Sequence, residues 1–283
     1  MKLLLVVLFT LTSLLSQAQN PNDCINAIVL CGNSNIGLDP NGVGDNEFDL
    51  PGNTQPSCYY FDQHNIWFKI EIAGAGTLTF DLIPDDGIAD YDFAIFGPQV
   101  TCTTLGESIR CSSTNPENAG VSADTGLNMT ETDTSEGPGF DGNGYLKFIE
   151  ALEGDVYYLL VDRAVGDNGF SLNLTGTATL PQSVIANPVE NLIQCDTDIV
   201  QDGFTDFNLD NLIPTIIGTQ TDVIVTFHEN LNDANIGINE LSSPYHNIAN
   251  PQTIYTRIES LNGCANNSSF TIETGNPILM TPD

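Results

Sequence analysis

The 283-residue chain has few basic residues: six Lys and Arg stand against 37 Asp and Glu, for a formal net charge of −31. Because proteins bind phosphate backbones through Lys and Arg, this composition excludes nucleic acid as a partner. The same charge repels anionic membranes and favours solubility and the recruitment of cations. The chain is not predicted to be disordered, because 41% of its residues are apolar and they fall in patterned runs.

Long apolar runs are absent except at the N-terminus. One Lys precedes an apolar run over residues 3–15, and the segment 16–18 ends that run. This pattern predicts a secretory signal peptide over residues 1–19, with cleavage after Ala18 or Gln19. The run is shorter than the roughly 20 apolar residues that a membrane helix needs. We therefore expect an exported protein without membrane insertion, either secreted or displayed at the cell surface.

Zinc-type cysteine spacing is also missing, since none of the seven cysteines belongs to a CxxC pair. Disulfides are expected instead in an exported chain. Cys102 and Cys111 bracket a loop-sized segment and are predicted to pair, as are Cys195 and Cys264 near the ends of the second unit. Cys24, Cys31 and Cys58 remain. Cys58 is expected to pair with either Cys31 or Cys24, and the third thiol is then free or pairs with a cysteine outside this sequence.

Long amphipathic helical patterns do not occur in the chain either. Short runs with period-two alternation, separated by Gly, Pro, Asn and Asp, are typical of an all-β sandwich. The runs predict strands at 66–72, 78–82, 91–95, 145–150, 156–162 and 169–175, and then at 204–209, 222–229, 252–260 and 268–274. The first two are predicted to form a hairpin, and the polar segment 112–144 is predicted to be a long surface excursion.

This order of elements predicts two domains after the signal segment. The first is a jelly-roll-like or CUB-like β-sandwich over residues 20–180. The segment 181–190 contains two prolines and is predicted to be a linker. An Ig-like β-sandwich is expected over 191–275, with a short helical turn near 232–239, and 276–283 is the expected start of a further linker or repeat.

The acidic excess raises the question of whether carboxylates converge on Ca²⁺, a hard cation that prefers oxygen ligands. Asp85, Asp86, Asp90 and Asp92 lie on a turn that enters a strand. Strand alternation places Asp90 and Asp92 on one face of the sheet. The first candidate metal site is therefore this group of four; the alternative is a hydrophilic turn followed by a strand with one polar face.

A second candidate Ca²⁺ site is formed by Asp196, Asp198 and Asp202, which precede Gly203. The spacing departs from a regular calcium loop because Val200 occupies a position where an oxygen ligand is expected. A solvated acidic loop is the alternative here as well. A third candidate stretch contains Asp162, Asp167 and Asn168, with the alternative that 166–169 is simply a hairpin turn.

Catalytic motifs are missing from the sequence. The three histidines, His64, His228 and His246, accompany no GxSxG elbow and no HExxH helix, so a non-enzymatic function is expected. Aromatic residues could instead form a stacking platform for sugar rings, with core packing as the alternative role. The aromatic candidates are Tyr59-Tyr60-Phe61, Trp67 and Tyr157-Tyr158.

Several motifs in both units resemble those of very large Bacteroidetes surface proteins. The second unit carries Asp202-Gly203-Phe204, Thr226-Phe227-His228-Glu229, Gln252-Thr253-Ile254-Tyr255 and Gly263-Cys264, and the first carries Asp23-Cys24-Ile25-Asn26-Ala27-Ile28, Trp67-Phe68-Lys69, Tyr91-Asp92-Phe93-Ala94 and Tyr157-Tyr158-Leu159-Leu160-Val161-Asp162. The family comprises gliding-motility-associated and type B sorting-domain proteins, which are exported by the type IX secretion system.

The resemblance implies a cell-surface role at the outer face of the outer membrane. It favours a non-enzymatic, adhesin-type module that is stiffened by disulfides and Ca²⁺ and projects a binding face. The implied partners are an extracellular polysaccharide or protein ligand and the type IX export machinery. Two alternatives remain open: a carbohydrate-binding accessory region of a secreted hydrolase whose catalytic domain lies outside this sequence, and a purely structural spacer.

Overall fold

The computed structural model describes residues 21–32, 36–40, 42–56, 58, 64–196 and 202–275. Strands account for 42% of these residues and helices for 10%, which confirms the predicted all-β sandwich class. None of the helices among these residues has the length and apolar character needed to cross a membrane.

The strands are mostly short and the helices have one or two turns. In chain order the strands are β1 Ile28–Val29, β2 Ile36–Leu38, β3 Asn65–Glu71, β4 Gly76–Leu78, β5 Phe80–Pro84, β6 Asp90–Phe96, β7 Arg110–Thr114, β8 Thr125–Asn128, β9 Ser135–Gly139, β10 Tyr145–Lys147, β11 Ile149–Ala151, β12 Val156–Val165, β13 Phe170–Leu174, β14 Leu192–Cys195, β15 Asp206–Phe207, β16 Val223–His228, β17 Tyr245–His246, β18 Gln252–Ser260 and β19 Ala265–Gly275. The helices are α1 Pro116–Ala119, α2 Ile213–Ile217 and α3 Leu231–Ile236, and 3₁₀ turns occupy Cys24–Asn26, Glu47–Asp49 and Leu209–Leu212.

Two facing sheets form the first domain. One has the order β1-β3-β12-β6-β7-β9 and the other β10-β8-β5-β13-β2, with the small pair β11-β4 beside them. Alternation along the strands turns one set of apolar side chains inward: Phe68, Phe80, Phe93 and Phe170 are fully buried between the sheets. The buried apolar surface between these sheets is the main stabilising contribution of this domain.

The predicted hairpin of the first two long runs is wrong. β3 lies between β1 and β12 in the six-stranded sheet, whereas β5 lies in the five-stranded sheet. The chain changes sheets at Gly74–Gly76, where it runs against the segment that follows β13: Ala73 N donates to Thr179 O at 2.8 Å. A Cβ on Gly76 would lie 2.5 Å from Ala178 N, so this close approach requires glycine.

Residues 112–144, predicted to be a surface excursion, contribute to both sheets. They include most of β7, and all of β8 and β9, and Leu127 of β8 is fully buried in the main core. The apolar alternation is hidden because these strands are short and use Gly, Ser and Thr. Gly126, for example, lies so close to Phe80 O that a side chain could not fit.

The outer face of the six-stranded sheet is also buried. Trp67, Phe96 and Leu160 lie there, and Phe48 from a 3₁₀ turn packs on Trp67 with ring centroids 6.5 Å apart. Two disulfides hold the covering segments down, Cys24–Cys102 and Cys58–Cys111. The predicted Cys102–Cys111 pair is therefore wrong: Cys111 projects from β7 toward the covering layer, while Cys102 lies in a turn beside Cys24.

The second domain is built on the sheet β14-β19-β18-β16, with the pair β15-β17 beside it. Its core includes Phe227, Ile254 and Phe270, and also Val184 and Ala186 from the segment between the domains. That segment is thus packed against the second domain.

The predicted Cys195–Cys264 disulfide is also wrong. β14 runs parallel to β19 and Cys195 is in register with Gly275, whereas Cys264 precedes the other end of β19. Eleven extended residues separate those ends by roughly 36 Å, far beyond the approximately 6 Å Cα spacing of a disulfide. Cys264 pairs instead with Cys31 of the first domain, and Cys195 is exposed and unpaired. Both open alternatives for Cys58 are excluded as well.

Candidate functional site

The structure divides the first predicted Ca²⁺ group into two pairs. Asp85 and Asp86 lie on an exposed turn before β6. Asp86 Oδ1 accepts hydrogen bonds from the backbone N–H groups of Ile88 and Ala89, each at 2.9 Å, and its Oδ2 accepts one from Asn168 Nδ2 at 2.8 Å. The Asn168 bond, followed by the two backbone bonds, lowers the pKa of Asp86. This carboxylate therefore closes the turn.

Asp90 and Asp92 instead enter β6 and lie on the outer face of the six-stranded sheet. Asp92 is directly opposite Asp162 of β12, and Asp162 is directly opposite Asn65 of β3. Three neighbouring strands thus carry a row of side-chain oxygens, with Asp90 two residues along β6 on the same face. We call Asn65, Asp90, Asp92 and Asp162 the carboxylate row.

The carboxylate row is largely removed from solvent. The relative solvent exposure is 1% for Asn65, 5% for Asp90 and 1% for Asp162. Asp92 is partly exposed as a residue, but its Oδ1 is buried. Burial, and then the charges of Asp90 and Asp162, raise the pKa of Asp92 well above its usual value, and burial raises the pKa of Asp90. The ionised forms are therefore disfavoured in this arrangement.

Two donors of the described residues reach the aspartates of the row. Asp90 Oδ2 accepts from Asn115 Nδ2 at 2.8 Å, and Asp162 Oδ1 accepts from the His64 backbone N–H at 2.7 Å. Asn65 Oδ1, Asp90 Oδ1 and Asp92 Oδ1 are buried and accept no hydrogen bond from the described residues.

No basic side chain among the described residues offsets the row's charge. Arg163 follows Asp162 directly, but alternation turns it to the other face of the sheet, where it pairs with Asp39. The charges that act on Asp92 are those of Asp90 and Asp162, which have the same sign.

The second predicted Ca²⁺ group is only partly described, since Asp198 lies outside the described residues. Asp196 is 1% exposed and its Oδ2 accepts from Gly203 N at 2.9 Å. Asp202 Oδ1 accepts from Phe204 N at 3.2 Å, which makes it a local turn cap. Within the described part of the chain, no three His, Cys, Asp or Glu side chains stand together as a formed metal centre.

The domain junction is the second distinctive region. The disulfide Cys31–Cys264 crosses it with a Cα–Cα distance of 5.8 Å. Around this bond, Gly32 N donates to Pro181 O at 2.8 Å, and Ser183 Oγ donates to Cys31 O at 3.1 Å. On the other side, the Asn262 side chain donates to Glu71 Oε1 at 3.2 Å. The junction therefore combines a covalent bond with hydrogen bonds from three separate segments.

A groove of about 840 Å³ opens at this junction. It is lined by Ala73 of the first domain, by the segment 181–187, and by two turns of the second domain. Two of its apolar side chains are well exposed, Ile185 at 61% and Leu261 at 73%. The groove offers an extended mixed surface to which both domains contribute.

Two of the aromatic candidates are core residues, and a third, Tyr158, is half-buried against the layer that contains Trp67. Trp67 and Tyr157 are 0% and 1% exposed and belong to the core. Tyr59-Tyr60-Phe61 lies outside the described residues. The core-packing alternative therefore holds for Trp67 and Tyr157.

The histidines have separate structural roles. His228 is buried, with Nε2 2.8 Å from Thr226 Oγ1 and Nδ1 2.7 Å from Ile238 O, and burial lowers its pKa. His246 is exposed and pairs with Asp206 at 2.9 Å.

The comparison with known families finds a match within the second domain. Residues 191–279 match the family described as Flavobacterium inter-domain disulphide bond domain, which points to a Bacteroidetes protein. The match covers just under a third of the chain and includes Cys264, whose partner Cys31 lies in the other domain. The geometry thus agrees with the family's description. No curated protein and no solved structure is significantly similar to this chain.

Proposed function

We propose that this chain is a non-enzymatic, adhesin-type module of an exported surface protein, in which two β-domains are clamped together to present a binding face. The observation that carries the proposal is the Cys31–Cys264 disulfide. A disulfide persists in an oxidising compartment, which suits a secreted or surface-displayed chain. It also fixes the second domain against the first. A surface structure that projects from the cell and bears mechanical load requires such a rigid connection.

The rest of the junction supports the same role. The segment 181–190 is not a free spacer: Leu180 packs in the first core, Val184 and Ala186 pack in the second, and Ile185 is bonded through its backbone to the Gln220 side chain. Little freedom is left for the domains to pivot. In a surface protein of this kind, export would follow the type IX route that the sequence resemblance implies.

The ligand would be an extracellular polysaccharide or protein, contacted at the junction groove, because that surface exists only while both domains are held in place. The alternative of a carbohydrate-binding region of a secreted hydrolase is favoured by no described feature, since Trp67 and Tyr157 are buried.

The test is retention of the exported chain on immobilised extracellular polysaccharides and matrix proteins. We expect at least one surface to retain the chain. Leu261→Ser, in the groove, should reduce retention, whereas Ile248→Ser, at a well-exposed apolar site outside the groove, should not. Retention on no surface, or equal retention by both variants, would contradict the groove as the binding face. Turnover of a glycoside or peptide by the purified chain would contradict the non-enzymatic role.

A further inference from the structure

The carboxylate row is the strongest unexplained feature of the first domain. Asp90, Asp92 and Asp162 share one sheet face, and the Oδ1 atoms of Asp90 and Asp92 are buried there without a hydrogen bond from the described residues. Burying one unpaired carboxylate costs several kcal/mol, and placing like charges side by side adds to this cost. A fold keeps such a group only as protonated acids or with a cation between them.

A neutral side chain gives independent evidence for a cation. Asn65 is 1% exposed, lies directly opposite Asp162 on the same face, and its Oδ1 accepts no hydrogen bond from the described residues. A proton on a neighbouring aspartate could satisfy this amide oxygen, but each proton donates to only one oxygen. A cation satisfies it together with Asp90 Oδ1 and Asp92 Oδ1.

Strand spacing is suited to the ion. Adjacent strands lie about 4.8 Å apart, and side chains directly opposite each other start from similar Cβ separations. An ion bound between two strands at the usual Ca²⁺–oxygen distance of about 2.4 Å reaches an oxygen on each side. Ca²⁺ accepts irregular sets of six to eight oxygens, including amide oxygens, whereas Mg²⁺ demands a near-ideal octahedron. The row favours Ca²⁺ because its ligands come from a pleated surface and include an amide.

We infer that Asn65, Asp90, Asp92 and Asp162 bind one Ca²⁺ on the outer face of the six-stranded sheet. The site shares Asp90 and Asp92 with the group expected from the sequence, but replaces Asp85 and Asp86 by residues from two other strands. Because no three carboxylates of the described residues stand together as a formed centre, binding involves rotation of these side chains toward the ion. The bound ion would tie β3, β12 and β6 together.

The test uses the full exported chain, freed of metal with EDTA and then titrated with CaCl2 alone. At a hundredfold excess over Kd, Ca²⁺ should raise the melting temperature of the first domain by about 5 °C or more. Asp92→Asn keeps the side-chain shape and should abolish this rise. Asp85→Asn removes the same charge from the exposed turn and should leave the rise intact. No rise in the parent chain, or the same rise in Asp92→Asn, overturns the site.

A second readout locates the ion without relying on stability. Trp67 is the only tryptophan, and it lies two residues along β3 from Asn65 on the same face. Tb³⁺ bound in place of Ca²⁺ should therefore luminesce on tryptophan excitation, and added Ca²⁺ should quench the signal. The signal should persist in Asp85→Asn and vanish in Asp92→Asn. If Asp92→Asn fails to fold, absence of sensitised Tb³⁺ emission from the parent chain still overturns the proposal.

Discussion

The two domains differ in the size of their apolar cores and in the placement of their disulfides. Among the described residues, the main core of the first domain contains 22 buried apolar residues and a second layer lies under two disulfides, whereas the core of the second contains 11. The described part of the second domain has no disulfide of its own; Cys264 reaches out to Cys31. The smaller domain is therefore restrained covalently only through its link to the larger one among the described residues, so the junction contributes to the stability of the second domain.

The sharpest way to test this contrast is to remove one buried ring from each core. Phe93 packs on Phe80 and Phe270 packs on Phe227, with centroids 5.3 and 6.2 Å apart. Phe→Ala at either site should cost about 3–5 kcal/mol. We expect Phe270→Ala to unfold the second domain alone, while Phe93→Ala lowers the stability of the first.

Urea unfolding distinguishes these outcomes, because Trp67 fluorescence reports the first domain and circular dichroism reports both. An equal shift of the Trp67 transition in the two variants would show that the domains unfold as one unit.

Removing the interdomain disulfide should have the next largest effect. Cys31→Ser combined with Cys264→Ser opens a link across 233 positions and should cost about 2–5 kcal/mol, mostly in the second domain. The Trp67 transition should barely move. Cys195→Ser is the matched control and should change neither transition, since Cys195 is exposed and unpaired.

Two asparagine caps give a smaller comparison. Asn230 Oδ1 accepts from Asp233 N at 2.9 Å, and Asn230→Ala should cost about 1 kcal/mol. Asn115 Oδ1 accepts from Asn118 N at 2.8 Å, but its Nδ2 also donates to Asp90. Asn115→Ala should therefore lower the free energy of unfolding by about 1–3 kcal/mol more than Asn230→Ala does. Equal losses in chemical denaturation would mean that the Asp90 bond is not important for stability.

The last comparison concerns the pH dependence of the metal-free first domain. The pKa values of Asp90 and Asp92 are raised on folding, so the folded state holds protons that the unfolded state releases above pH 3.8. Their contribution to stability is present below that pH and is lost as pH rises through the folded pKa values. Asp92→Asn should flatten this loss when melting in EDTA is followed from about pH 4 to about pH 8. An unchanged slope relative to the parent chain would contradict the raised pKa of Asp92.

Much of this fold could be predicted from alternation along single runs. The strands around Phe68, Phe93 and Ile254 carry clear period-two patterns, and the placement of Asp90 and Asp92 on one face follows from the same rule. Strand pairing could not be predicted in this way. The false hairpin arose because nearness in sequence favours pairing, while the turn at Gly74–Gly76 carries the chain to the other sheet.

The composition of the carboxylate row depends on strand pairing in the same way. Asp162 and Asn65 join Asp90 and Asp92 only through the registers of β12 with β6 and with β3, which the local sequence does not reveal. Cys31 and Cys264 likewise meet because two domains pack together. The sequence predicts a Cys195–Cys264 pair because both cysteines lie near the ends of one unit. The parallel pairing of β14 and β19 instead places them at opposite ends of the sheet.

The most direct test of the clamped two-domain account is disulfide mapping of the exported, unreduced protein by proteolysis and mass spectrometry. The account predicts a cross-linked peptide pair that joins Cys31 to Cys264, together with a Cys195 peptide that is alkylated without prior reduction. A peptide pair that joins Cys195 to Cys264 would place the disulfide within the second domain. That result would contradict the clamp and, with it, the proposed function.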